Sequence, residues 1–198
     1  MLHHRAFGRD LDALVVAVID NRRPILSLMR AMLAAIGTGR IETYESPTEA
    51  VDAMAKSVPD VVIAAAAMQP LTGAQLVRAM RWTNAGPLAL VPAMIMSVRA
   101  KPALVEEALR AGAHQVLVLP TTASTLYRRL AWLIQDDRPF ELRGEHYVVA
   151  GMEERLSLSI QSPVYVPTEP SLGLPPIARD EEGAPTLDIA KKTRVAPH

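Results

Sequence analysis

The sequence predicts an α/β domain built on a parallel sheet with helices on both faces. Apolar runs of strand length alternate with segments whose apolar residues recur at helical spacing, giving five strands and five helices in turn. The sequence is 49% hydrophobic but only 4% aromatic, and a core of Ala, Val, Leu, Ile and Met suits helices packed on a sheet. Because parallel crossovers are right-handed and each connection is short, the alternation predicts a doubly wound open sheet.

Five apolar runs predict the strands. The run at 13–19 is continuous and rich in valine, as expected of a strand buried on both faces. The second run, RIETYE at 40–45, is more polar and suits the edge of a sheet. The remaining strands are expected at 60–65, 87–91 and 115–119.

Apolar stripes and capping signals predict the helices between these strands. Across residues 25–36, apolar side chains recur at i, i+3, i+4, i+7, i+8 and i+11. The second helix is expected to begin after Ser46, with Pro47 in its first turn and Glu49 completing a capping box. Apolar residues within 76–80, 104–109 and 126–134 predict the other three helices.

The domain boundaries are expected where this alternation stops. Half of the 16 prolines lie in the last part of the chain, which also lacks sustained periodicity and has in part the composition of a disordered segment. Within it we expect a short hairpin around residues 143–144 and a further strand at 156–160. The predicted parts are an N-terminal extension at 1–10, an α/β domain at 11–135 and a Pro-rich, partly disordered C-terminal tail at 136–198.

The bulk composition excludes several classes of function. The sequence has no cysteine, so it contains no disulfide, thiolate metal site or cysteine nucleophile. Residues 1–135 carry 14 Lys and Arg against 10 Asp and Glu, and residues 136–198 carry 7 against 11, so nucleic-acid binding is not predicted from charge. No apolar signal core begins the sequence, and the apolar run at 61–68 is too short to span a membrane. We therefore expect a soluble cytoplasmic protein.

Three stretches resemble the receiver domain of two-component response regulators. VAVIDNRRPIL resembles its first strand and acidic turn, PDVVIAAAAMQPLTG its third strand and following loop, and ALRAGAHQVLVLPTTASTL its fourth helix to fifth helix. The resemblance covers residues 11–134. It implies a flavodoxin-like, CheY-like fold with strand order 2-1-3-4-5 and a place in a two-component signalling pathway.

The resemblance also implies a chemistry, which this sequence lacks at several positions. In the family, a histidine kinase donates a phosphoryl group to an aspartate beside Mg²⁺, with a lysine and a hydroxyl near the phosphoryl oxygens. The position of that aspartate corresponds to Ala65, and the metal-binding acid pair to Ile19 and Asp20. The switch hydroxyl corresponds to Pro92 and the lysine to Leu119. We therefore expect no phosphorylation, no bound metal and no other cofactor, and no enzyme activity.

Some charged residues near this pocket have more than one interpretation. Asp60 begins the third strand, roughly 16 Å from Ala65 at about 3.3 Å per residue, so it cannot replace the missing nucleophile. Asp20 is either a retained metal ligand or, more commonly for such an acid, a helix cap. Arg22 and Arg23 either pair with Asp20, offer an anion site at the helix N-terminus, or are solvated, which is the usual state of surface arginines.

A partner surface is expected on the fourth helix, fifth strand and fifth helix, the face that receiver domains use for dimer and partner contacts. Exposed cations and aromatic side chains suit such a surface, since aromatic residues anchor interfaces, although Trp132 is equally suited to pack against the tail. The residues expected there are Arg99, Lys101, Arg110, Tyr127, Arg128, Arg129 and Trp132.

The sequence thus favours a stand-alone pseudo-receiver that acts by protein contact with a partner in a two-component pathway. A homodimer through the same face is a further expectation. Two alternatives stay open from the sequence: a phosphorelay receiver modified at a non-standard residue, and a transcriptional regulator that binds DNA, although the negative charge of the tail opposes the latter.

Overall fold

The computed structural model describes residues 2–99 and 101–151, all within the unit Met1–Tyr165. Its centre is a five-stranded parallel sheet with the order β2-β1-β3-β4-β5, as predicted. The strands are β1 Val15–Ile19, β2 Arg40–Tyr44, β3 Val61–Ala65, β4 Ala93–Ser97 and β5 Gln115–Val118. The helices are α1 Arg23–Ala35, α2 Pro47–Lys56, α3 Gly73–Met80, α4 Pro102–Arg110 and α5 Ala123–Ile134.

Helices cover the sheet in two layers. Helix α1 contacts α5, and α3 contacts α4, as a doubly wound fold requires. Strand β3 is buried along its whole length because it lies in the middle of the sheet with packing on both faces. Strand β2 lies at the edge and is only half-buried beyond its exposed first residue, which agrees with its polar sequence.

The helix starts follow local capping chemistry. The backbone N–H of Glu49 donates to the Ser46 hydroxyl, so Ser46 caps α2 as predicted. The reciprocal pair of bonds that defines a capping box is found instead at α3. There, Gln75 N–H donates to the Thr72 hydroxyl and Thr72 N–H donates to the Gln75 side chain.

The predicted position of the fourth strand is wrong. Residues 87–91 belong to the 3₁₀ segment Thr83–Leu90 and its end, and β4 is the next apolar run, Ala93–Ser97. A strand in the interior of a sheet must donate N–H groups to its neighbours, and the second run contains no proline whereas the first begins with Pro87. Gly86, at φ 60°, turns the chain within the 3₁₀ segment.

A hairpin follows α5, as predicted. Its antiparallel strands are β6 Phe140–Arg143 and β7 His146–Val149, joined by a turn in which Gly144 has φ 63°. The hairpin pairs at one edge with the N-terminal segment, where Phe140 N–H donates to the Leu2 carbonyl. At the other edge Tyr147 N–H donates to the Arg81 carbonyl.

Residues 2–10 and 136–150 therefore pack on the α/β domain, although the sequence places them in an extension and a tail. We call these two segments, with the 3₁₀ segment Thr83–Leu90, the amino-edge layer, because they lie at the edge of the sheet where its strands begin. The predicted strand at 156–160, and the rest of the predicted tail beyond residue 151, lie outside the described residues.

Buried charges attach the amino-edge layer to the sheet. The Asp60 carboxylate, at the start of β3, accepts a hydrogen bond from Val15 N–H at 2.9 Å and one from the Arg9 guanidinium. Arg5 lies 3.5 Å from the same carboxylate. Asp60 is almost completely buried, so these two arginines supply the countercharge that such a carboxylate requires.

Arg81 is a second buried charge in this region. Its guanidinium donates to the carbonyls of Gly112 and Ala89 at 2.9–3.1 Å and lies 4.8 Å above the Phe140 ring. Burial lowers the pKa of Arg81 to about 9, so the side chain is still a cation at neutral pH. Arg81 thereby joins α3, the 3₁₀ segment, the turn before β5 and the hairpin at one point.

Among the described residues, no helix is long and apolar enough to cross a membrane.

The buried histidine of the N-terminal segment predicts a pH dependence of stability. His4 bonds through Nε2 to the Asp136 carbonyl at 3.0 Å, and its ring meets that of His114 at 5.5 Å. Burial lowers the pKa of His4, against the opposing effect of Asp136. On acidification the unfolded chain takes up a proton at its ordinary pKa of 6.5, before folded His4 does, so stability falls as pH drops through 6.5.

Urea unfolding measured from about pH 8 to about pH 5 tests this, with His4→Gln as the comparison, since glutamine can still donate to the carbonyl but does not titrate. The variant should lose less free energy of unfolding than the native chain over this range. Equal pH profiles for the two proteins would contradict the assignment to His4.

Candidate functional site

The candidate site is the edge of the sheet where the five strands end. All strands are parallel, so their carboxyl ends lie together, and this is where α/β sheets bind ligands. Asp20 and Asn21 follow β1, Ala65 ends β3, Ser97 ends β4 and Leu119 follows β5.

The Asp20 carboxylate is fully buried and bound by a single neighbouring residue. Arg22 donates to Asp20 Oδ1 from both its backbone N–H and Nε, each at 2.9 Å, and to Oδ2 from Nη2 at 2.7 Å. These hydrogen bonds raise the pKa of Arg22 above its ordinary value. Of the interpretations of Arg22, pairing with Asp20 is the one that the structure shows. Arg23 pairs with Glu45 instead, at 2.8 and 2.9 Å.

Asn21 connects two loops at this edge. Its side-chain amide donates to the carbonyls of Glu45 at 2.6 Å and Gln69 at 3.2 Å, and its Oδ1 accepts from Gln69 N–H at 2.7 Å. The two residues that follow β1 are thus an acid and an amide. Ile19, which we predicted as the other half of the acid pair, is the last residue of β1 and a core residue paired with Tyr44 and Ala64.

Two of the predicted positions are apolar and lie where we expected them. Ala65 ends β3 and is almost completely buried, with Met96 of β4 beside it in register. The first residue of α3 packs directly against this strand end, because a Cβ on Gly73 would lie 2.5 Å from the Ala65 carbonyl oxygen. Leu119 directly follows β5 and is buried.

The assignment of Pro92 to the switch hydroxyl is wrong, because the fourth strand is later than predicted. Pro92 precedes β4, and its carbonyl accepts from Val62 N–H at the opposite edge of the sheet. The residue at the carboxyl end of β4 is Ser97, which carries a hydroxyl. That hydroxyl donates to the Arg99 carbonyl at 3.0 Å and accepts from Arg99 N–H at 3.2 Å, so it is engaged in a local turn.

Comparison with known families identifies the domain. Residues 16–131 match the family described as the response regulator receiver domain, which is more than half of the chain. The chain belongs to this family. Its receiver domain accordingly takes part in two-component signalling, and its partners are proteins of such a pathway.

Solved structures of receivers share the fold. Chemotaxis protein CheY4 of Vibrio cholerae is 24% identical and matches with a TM-score of 0.56, over 61% of this chain and 98% of that one. The receiver domain of a sensor histidine kinase from Pseudomonas aeruginosa PAO1, solved with a magnesium ion coordinated in its active site cleft, is 20% identical. Its TM-score is 0.55, over 61% of this chain and 97% of that one. The receiver domain of NarL from Mycobacterium tuberculosis is 21% identical, with a TM-score of 0.54 over 62% and 97%.

The residues predicted for the partner surface divide into two groups in this receiver. Arg99, Lys101, Arg110, Tyr127 and Arg128 are exposed, and Arg110 pairs with Glu106 at 2.6 Å along α4.

The other two residues are half-buried. The Gln115 side chain of β5 donates a hydrogen bond to the Arg129 carbonyl, and this bond connects α5 to the sheet. Trp132 packs against the core and lies beneath the Arg138 guanidinium at 5.3 Å, so it packs on the segment after α5 as in our alternative interpretation.

Four site residues escaped the sequence interpretation. Val98, which follows β4, and Val118, which ends β5, are 58% and 44% exposed. Ser97 was missed because the fourth strand was placed too early, and Asn21 because its bonds join loops that are far apart in the sequence. The signal that would have found Ser97 is the absence of proline from the run 93–97.

The bonds of Asn21 lead to a prediction for Asn21→Asp, the change that would give this receiver a second acid after β1. Aspartate loses both bonds donated by the amide and places a negative oxygen against the carbonyls of Glu45 and Gln69. We expect the free energy of unfolding to fall by about 1–3 kcal/mol in urea titrations. Asn84→Asp, on the exposed part of the 3₁₀ segment, is the matched control and should change stability by less than about 0.5 kcal/mol. Equal losses in the two variants would show that the loop bonds are unimportant.

Proposed function

We propose that this receiver is a pseudo-receiver, which acts in its pathway through protein contacts and without phosphorylation of its own domain. The observation that carries the proposal is Ala65 at the end of β3. A phosphoryl acceptor needs an oxygen nucleophile there, and a methyl group has no lone pair with which to attack phosphorus.

Among the described residues, the two acids next to β1 and β3 are already engaged by arginines, which argues against either as an alternative acceptor. Asp60 lies at the start of the same strand and is bound by the arginines of the N-terminal segment. Asp20 is close to the edge, but both of its oxygens accept hydrogen bonds from Arg22. Leu119 offers no cation for phosphoryl oxygens, whereas the family's lysine does. Ala65 takes the place of the nucleophile, Arg22 occupies the acid that would bind the metal, and Leu119 takes the place of the lysine. These replacements support a domain without phosphotransfer chemistry.

Protein contact is then the remaining mode of action, and the face formed by α4, β5 and α5 suits it. Val98, Val118 and Tyr127 supply exposed apolar surface, and the exposed cations Arg99 and Arg128 directly follow Val98 and Tyr127 in the sequence. An apolar centre with a charged rim is the usual composition of a protein interface. Binding at such a surface is constitutive unless a second ligand stabilises one conformation of the domain over another.

Treatment of the full-length chain with acetyl phosphate and Mg²⁺, followed by intact-mass analysis, tests the first part of the proposal. We expect no phosphoryl adduct under conditions that label a receiver with an aspartate at the end of β3. A stable adduct, mapped to any residue, would overturn the proposal and favour a phosphorelay receiver modified at a non-standard position.

The second part predicts that truncation of Tyr127 weakens partner binding. Tyr127→Ala removes an exposed aromatic from the proposed surface, and interface aromatics commonly contribute about 2 kcal/mol or more, near 30-fold in affinity. Leu28→Ala is the matched control, because Leu28 is similarly exposed on α1. Quantitative capture of binding proteins from the native cell should fall for Tyr127→Ala alone. If both variants retain the same proteins in the same amounts, the surface lies elsewhere.

A further inference from the structure

We propose that Arg22 is a built-in cation of this receiver, taking the place beside Asp20 that a divalent metal holds in receivers that bind one. The inference rests on the proposed function and extends it to the electrostatics of the site. Its consequence is that the charge of this edge is fixed by the sequence and does not respond to Mg²⁺.

A buried carboxylate makes a countercharge necessary. Asp20 has no exposed surface, and leaving a carboxylate buried without a cation costs several kcal/mol. Receivers with an acid cluster meet this need with a metal ion. In this chain the nearest cation is supplied two residues along the same loop.

Arg22 occupies both oxygens of that carboxylate. Nε approaches Oδ1 at 2.9 Å and Nη2 approaches Oδ2 at 2.7 Å, the two-pronged arrangement in which guanidinium binds carboxylate most strongly. The backbone N–H of Arg22 adds a third bond to Oδ1. A metal ion would have to displace at least one prong of this pair before it could bind an oxygen.

With Arg22 in place, the surrounding residues offer a magnesium ion no ligand beyond the occupied Asp20 carboxylate. Mg²⁺ requires a near-octahedral set of oxygens, usually including one or two carboxylates. The Asn21 side chain is committed to the Glu45 and Gln69 backbone, and Ala65 contributes no oxygen from its side chain. Among the described residues, no group of three or more His, Cys, Asp or Glu is arranged to hold a metal.

The neighbouring arginine provides an internal comparison. Arg23 binds Glu45 through Nε alone at 2.8 and 2.9 Å, but that pair is on the surface, with side chains 81% and 48% exposed. Surface pairs contribute little, since water screens both partners. Of these two neighbouring pairs, the one at Asp20 joins its guanidinium to a carboxylate that has no exposed surface.

The test compares three full-length proteins, Arg22→Met, Arg23→Met and the native chain. Mn²⁺ titrations are followed by the paramagnetic broadening of backbone amide signals. Melting curves are then recorded with and without Mg²⁺. Methionine keeps much of the apolar stem and removes the charge. In Arg22→Met we expect the broadening to be centred on Asp20. The affinity for Mn²⁺ should be at least about tenfold higher than in the other two chains, a factor that corresponds to about 1.4 kcal/mol. Mg²⁺ should raise the melting temperature of this variant alone.

The inference is overturned if the three proteins respond equally to the ions, whether all bind or none does. It is also overturned if Arg22→Met stays unfolded in Mg²⁺ as well as in its absence, because an ion bound by the freed Asp20 carboxylate would replace the lost charge. Failure of the proposed function has a separate signature, the phosphoryl adduct on the native chain. The two ideas can therefore fail independently.

Discussion

Parallel pairing of all five strands is the constraint from which the rest of this molecule follows. It brings every carboxyl end to one edge, where the loops after β1, β3 and β4 can share a site, and every amino end to the other, where a second layer can pack. Among the described residues, Asp60 and Arg81 are buried charges at the amino edge, and Asp20 is buried at the carboxyl edge together with its own arginine.

Local patterns predicted the sheet and helices well because each depends on neighbours in sequence. The valines of β1 and the stripe of α1 need only the periods of a strand and a helix, and Ser46 needs only the backbone three residues ahead. The predicted position of the fourth strand was wrong because residues 87–97 contain two apolar runs, one on each side of Pro92. The sheet can accept only one of these runs as its fourth strand. Which run pairs with β3 depends on N–H groups donated across strands, and proline at position 87 was the available evidence.

Long-range charge pairs were beyond sequence reasoning. Nothing in the spacing of Arg5, Arg9 and Asp60 indicates that they meet, since their contact depends on the path of a segment with no periodicity of its own. The same holds for Phe140, whose ring lies over Arg81 from a different part of the chain. A boundary at residue 135 therefore looked reasonable from composition, yet it separates the hairpin from the cation and carbonyl groups on which it packs. At the candidate site, Ala65 and Leu119 were predictable because strand ends are, whereas the choice between pairing and solvation for Arg22 required coordinates.

Ala65 at the end of β3 and Arg22 beside Asp20 are explained by one electrostatic argument in the pseudo-receiver that we propose. Two carboxylates close together in a poorly hydrated site repel each other, and each raises the free energy of the other unless a cation lies between them. With Ala65 in place of an acid, a single carboxylate is left, and a single guanidinium neutralises it without any ion from solution. An aspartate placed at position 65 alone would add a second negative charge near the Arg22 guanidinium, which already neutralises Asp20. In the pseudo-receiver that we propose, an alanine at position 65 and the pairing of Asp20 with Arg22 would therefore stabilise each other, and the side chains themselves would hold the site in one state.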